Sequence, residues 1–205
     1  DRTTGERLRS FTLPGNLAIA NQNAIGANEI SGNTSGRVTN KGMEGLAINA
    51  SGTKLYGIMQ SSLIQDGGDT NAGKTNRIVE IDIASGATKE YAVSNQINGT
   101  GYNNSELVSI NDHTLAFLPR DGKGLGAGNN AAIKQMWAID LNGATDVTAL
   151  SGDAALQGAL LAKTQLVDFA AILQAAGFTA AQIPSKLEGL AFGRSEEHTS
   201  ELQSH

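Results

Sequence analysis

A glutamate followed by glycine and two apolar residues occurs twice in this chain, as Glu44-Gly45-Leu46-Ala47 and as Glu188-Gly189-Leu190-Ala191. Ser105-Glu106-Leu107-Val108 is a third, degenerate copy without the glycine. A basic residue, Lys41 or Lys186, stands upstream of each full copy. A carboxylate can take a proton from water, return one to a leaving group, or ligate a cation. If a repetitive fold brought the three carboxylates to one point, they would repel one another unless a cation or cationic side chains neutralised them. The architectural alternative is equally open: a glutamate at a strand start can simply satisfy backbone N–H groups of a neighbouring repeat. The arginines and lysines able to offset the charge are Arg77, Arg120, Lys41 and Lys186.

The elements around the glutamates read as short strands. Residues 45–49 and 54–60 flank the turn at Ala50 to Thr53, and residues 77–83 alternate apolar and polar with period two, as a half-buried strand does. Residues 88–93 return after Ser85-Gly86, which completes four strands with tight turns. A second unit repeats the rhythm with strands at 106–110, 114–118 and 135–140. The spacing between glutamates, 62 residues from 44 to 106 and 82 from 106 to 188, exceeds the roughly 40–50 residues of a plain propeller blade. Long loops and an insertion must absorb the excess. Leu166, Phe169, Ala170, Leu173 and Ala176 fall at helical spacing and Gly177 is a stop signal, which predicts a helical insertion near 163–182. Residues 1–40, polar and rich in Asn and Gly, predict loops with a strand near Leu17 to Ile19. The fold class is therefore all-β, built from repeats of a propeller-like kind.

Arg194 to His205, read RSEEHTSELQSH, matches the translation of a sequencing-adapter oligonucleotide and is set apart as a non-native tail, leaving 1–193 as the domain. His113 is then the one remaining histidine. The formal net charge is −5, to which the tail's one Arg and three Glu contribute −2. So little basic charge argues against a nucleic-acid surface. The chain has no cysteine, which rules out disulfides and thiolate metal sites. Its 25 glycines suit a turn-rich β protein. No apolar run approaches the ~18 residues that cross a bilayer. The first residue is Asp1, and sequence ahead of it is expected to carry any leader.

The motifs taken in order resemble one family. They are Lys41 to Ala47, Gln60, Arg77, Asn111-Asp112-His113, Arg120-Asp121-Gly122 and Lys186 to Ala191. Together they are similar to the phytase-like proteins, described by an "esterase-like activity of phytase", over about residues 10–193. Where that family often carries an acid before its Arg-Asp pair, this chain has Pro119. The resemblance implies a partial β-propeller and a hydrolase acting on phosphate or other esters at the channel mouth. It implies Glu44, Glu106 and Glu188 as calcium ligands or acid/base groups, with Arg77, Arg120 and Lys186 holding a phosphate-ester substrate. It further implies a periplasmic or secreted protein, monomeric at full length, with no organic cofactor. The competing expectation is a non-catalytic extracytoplasmic binding propeller whose glutamates are structural. An isolated fragment of such a propeller is expected to be inactive.

Other signals carry less. Gly122 to Gly128 does not run from a strand into a helix, as a phosphate-cradling loop must, and reads as a hairpin loop. Asp66 to Gly73 lacks the spacing of a calcium-binding EF-hand loop and reads as a surface loop. His113 sits in a turn, Arg120-Asp121 can pair within one repeat, and there is no G-x-S-x-G nucleophile elbow.

Overall fold

Alternating apolar positions need a facing surface, and here two sheets provide it for each other. The computed structural model describes residues 1, 3–69 and 71–193; the tail expected at 194–205 lies outside the described residues. The N-terminal stretch carries a 3-10 turn at Gly15–Leu17 and a short helix, α1 (Gly26–Ser31). No strand forms at Leu17 to Ile19. The N–H groups of Leu17 and Ala18 close back on the carbonyls of Pro14 and Gly15 instead, which leaves that stretch in a local turn.

The first sheet is a meander of β1 (Met43–Ile48), β2 (Lys54–Met59), β3 (Thr75–Asp82) and β4 (Thr88–Ser94), each antiparallel to the one before. A small hairpin of β5 (Gln96–Ile97) and β6 (Thr100–Gly101) leads to the second sheet. There β7 (Asn103–Ser109), β8 (Thr114–Arg120) and β9 (Gln135–Asp140) repeat the meander. Helix α2 (Asp153–Gln157) and β10 (Leu160–Leu161) follow, and β10 adds in parallel to β4 of the first sheet. The chain then returns as β11 (Lys163–Asp168), antiparallel to β9, and continues into α3 (Phe169–Ala175).

The helix expected over 163–182 is thus a strand followed by a short helix. Its first residues pair with the open edge of β9 instead, which completes the fourth strand of the second repeat. Asp168 sets the boundary: its carboxylate accepts from Ala171 N–H at the start of α3, the capping role that Asp fills well. Gly177 ends the helical stretch with a φ of 94°, as its stop signal predicts.

The molecule is mostly β with few helices. Two four-stranded meanders stand with β1 against β7. Tyr56, Ile58, Ile78, Tyr91 and Val93 of the first meet Leu107, Leu115, Phe117 and Ile139 of the second in one buried cluster. The far face of the first sheet, with Met59, Val79 and Ile81, is covered by Leu17 and Phe11 of the N-terminal stretch. No closed ring is present among the described residues.

The approach of β1 to β7 depends on Gly45. A Cβ there would lie 2.4 Å from the backbone nitrogen of Leu107 and 2.8 Å from the carbonyl carbon of Glu106. Gly189, in the other full copy, has open space around its Cβ position. Gly45→Ala is therefore expected to cost about 1–3 kcal/mol through overpacking, while Gly189→Ala stays within about 0.5 kcal/mol. Denaturant unfolding of the two variants side by side measures the difference.

Candidate functional site

The repeated glutamates occupy irregular positions in their strands, and both irregularities are of the same kind. Along β1 the register passes from Met43↔Met59 to Gly45↔Ile58, so Glu44 is an extra residue. Along β7 it passes from Asn104↔Pro119 to Leu107↔Phe117, so one residue of the Ser105-Glu106 pair is extra. A β-bulge of this kind interrupts the ladder and re-aims a side chain. Gly45 passes directly over the Glu106-Leu107 backbone and Asn104 N–H donates to the Gln60 carbonyl, so both bulges lie on one rim.

Glu44 is exposed and Glu106 half-buried. The Glu106 carboxylate accepts from the adjacent Leu107 N–H at 2.9 Å. It borders a cleft of about 210 Å³ whose walls include Leu46, Ile48, Val108, Leu190 and Phe192. Residues of all three repeat copies thus line one cleft. Glu188 does not border it; its carboxylate accepts from Arg120 Nη2 at 2.6 Å. Arg120, at the end of β8, is 4% exposed, whereas Glu188 is 58% exposed. Lys186, two residues earlier, is exposed.

Arg120 and Asp121 are adjacent in sequence but do not pair. Asp121 binds the ammonium of Lys134 and accepts from the N–H groups of Ala132 and Ile133. Burial pushes the Asp121 pKa up, but Lys134 and the two N–H groups outweigh it and hold the carboxyl low. Lys134 is fully buried and also donates to the carbonyls of Asp121, Lys123 and Ser185. Burial lowers its pKa first, Asp121 opposes that, and the charges of Arg120 and Lys186 lower it a little further. Nothing in the sequence singled out Lys134, because its partners lie across a long Gly-rich loop.

The repeat glutamates do not form one cation site in this arrangement. Glu188 is engaged by Arg120 and Glu106 by its own strand, and among the described residues no group of three or more His, Asp and Glu is placed to hold a metal ion.

Arg77 departs most from expectation. It is 1% exposed inside the first sheet and is no anion site. Nε and Nη2 donate to Asp66 at 2.6 and 3.0 Å, and Nη1 donates to Glu90 at 2.5 Å. The carbonyls of Val147 and Leu150 accept from it at 3.4 and 2.9 Å. Burial works against its charge, yet Asp66 and Glu90 raise its pKa. Asp66, expected on a surface loop, is 1% exposed and also accepts from Gly152 N–H. The sequence shows Asp66 only as a turn residue, so the pairing was not legible. Lys41, expected to contact phosphate, donates instead to the carbonyls of Asp69 and Asn71 and ties down that loop. Burial lowers its pKa and Asp69 opposes the shift.

Lys163 was also not foreseen. Its ammonium donates to the carbonyls of Ser94 and Gln96 and lies 4.8 Å from the Trp137 ring centroid, so it bridges the two sheets. Burial lowers its pKa to about 8. The turn residue His113 pairs with Asp140 at 3.0 Å, both being exposed.

A family model described as "Phytase-like: Esterase-like activity of phytase" matches residues 1–202. No curated protein and no solved structure matches the chain.

Two outcomes are expected. Arg77→Gln leaves two buried carboxylates without their cation and costs about 3–5 kcal/mol in denaturant unfolding. Lys163 has its folded pKa below the unfolded value, so between about pH 8 and the ordinary lysine range the unfolded chain holds the extra proton. Stability therefore rises with pH across that window, and melting curves of Lys163→Met should lack the rise.

Proposed function

The chain belongs to the phytase-like family, and we propose that it forms part of a hydrolase of phosphate or other esters whose reaction centre is the rim. In this reading the two meanders are adjacent blades of a β-propeller, and residues 186–192 open a third. One observation carries it: both repeat glutamates of the meanders stand in β-bulges on a common rim, and all three repeat copies meet at one cleft. Inner strands of propeller blades converge in this way.

The chemistry assigned to the rim is general base catalysis. Glu106 takes a proton from a water whose oxygen bonds to the ester carbon or phosphorus. The bond to the leaving oxygen breaks, and the proton passes from Glu106 to that oxygen. Arg120, which lies on the same sheet as Glu106 and binds Glu188, is assigned the charge developing on the substrate oxygens. The hydrogen bond from Leu107 N–H orients the Glu106 carboxylate at the cleft. Glu44, in the equivalent bulge, is the second carboxylate of the rim. A periplasmic or secreted location and a monomeric full-length protein complete the proposal. Among the described residues no helix is long and apolar enough to cross a membrane.

A second reading rests on the same hydrogen bond. A glutamate that accepts from its own strand also suits a purely architectural role, and the protein would then be a binding propeller without turnover. The full-length parent protein separates the two. With p-nitrophenyl phosphate and p-nitrophenyl acetate as substrates, Glu106→Gln is expected to lower kcat by about 100-fold or more, with an unchanged melting temperature. An unchanged kcat would remove Glu106 as the base. No turnover in the wild type would leave the binding propeller.

A further inference from the structure

Among the described residues two arginines are buried, Arg77 and Arg120, and they are satisfied very differently. A guanidinium presents five N–H donors in a planar fork. Arg77 uses its fork as a structural arginine must: it binds both oxygens of Asp66, one oxygen of Glu90 and two backbone carbonyls. Both carboxylate partners are themselves fully buried. Arg120 is nearly as buried, at 4% exposed. Yet among the described residues its one side-chain bond is to Glu188 Oε1, and its buried Nε has no partner.

That single partner is loosely placed. Glu188 is mostly exposed and belongs to residues 186–193, which carry neither helix nor strand. Directly across the ladder from Arg120 stands Asn103, whose buried Oδ1 also has no partner. Its amide can turn its NH2 toward an anion or accept from a ligand hydroxyl. Lys186 lies close by in sequence, and Lys134 is already held by Asp121. The surroundings are thus a buried fork half filled by one exposed carboxylate oxygen.

We infer that Arg120 is the centre of a binding site for a small oxyanion, a carboxylate or a phosphate, and that the Glu188 carboxylate is an internal occupant which such a ligand displaces. Two oxygens of the ligand bridge Nε and Nη2, the geometry in which arginine binds oxyanions most firmly. Glu188 then swings out on its irregular segment. The inference rests on the proposed hydrolase for its biological use, where the oxyanion is the charged part of a substrate or product, but binding itself needs no turnover.

The test is calorimetric titration of the chain with inorganic phosphate and, separately, with acetate. Removing the internal competitor raises the fraction of protein able to bind, so Glu188→Gln is expected to bind one of the two anions about tenfold more tightly than the wild type. The tighter of the two identifies the ligand class. Glu188→Gln/Arg120→Lys keeps the charge without the fork and is expected to lose that gain. Glu188→Gln binding no more tightly than the wild type would overturn the inference. So would full retention of the gain in the Lys variant, or a lowered melting temperature in Glu188→Gln without any anion binding, which marks a structural pair. Anion binding that behaves as expected alongside an unchanged kcat in Glu106→Gln would sink the assigned base and leave this site standing.

Discussion

Arg77 joins three stretches of chain that are far apart in sequence. Asp66 comes from the loop after β2, Glu90 from β4, and the carbonyls of Val147 and Leu150 from the segment after β9. Burying a guanidinium is costly, and the cost is met only when its donors and the facing carboxylates are matched together. Gly152 N–H closes the network on Asp66, and Asn16 adds a bond to Glu90. The arrangement is all or nothing: removing any one stretch leaves a buried charge exposed to a poor environment. It therefore docks the insertion between β9 and β11 onto the first sheet. With the insertion docked, Val147 N–H reaches the Glu90 carbonyl, β10 pairs with β4, and Val147 and Leu156 pack over Ala92.

This lock fixes the second sheet relative to the first from the outside, while Gly45 governs the contact on the inside. The close passage of β1 over the Glu106-Leu107 backbone leaves no room for a side chain. Both bulges then fall on the same rim, because β1 runs alongside β7 with Gln60 O bonded to Asn104 N–H at one end and Ser51 N–H to Asp112 at the other. The rim is thus a consequence of repetition. The same local irregularity, placed twice by the same motif, brings two carboxylates to one end of the molecule. The repeats differ where their side chains do: Arg120 at the end of β8 meets Glu188 of the following copy, whereas the buried Oε1 of Gln60, just after β2, has no partner among the described residues.

The strands of both meanders were legible because their signals are local. Period-two alternation and glycine turns specify β1 to β4 and β7 to β9 over a few residues each. The rim glutamates were legible too, since a repeated tetrapeptide needs no fold to be noticed. The helix predicted from 163 was wrong at its start for an equally physical reason. Leu166 fits a helical stripe, but the open edge of β9 recruited the segment as a strand, and the periodicity yielded to hydrogen bonding from a distant element. The small helix α2 and the two-residue β10 are too short to carry a pattern of their own.

By itself, then, the sequence determined an all-β repeat protein, its family and the glutamates at its repeat starts. Tertiary structure alone decided what the charged side chains do. It turned Arg77 from an anion binder into an internal clasp, separated Arg120 from its neighbour Asp121, and gave Lys134 a buried carboxylate and three carbonyls. The physical reason is range. Backbone periodicity is set by nearest neighbours along the chain, whereas an ion pair is set by whichever charges the folded chain brings within a few ångströms, here 11 residues apart for Arg77 and Asp66 and 68 for Arg120 and Glu188.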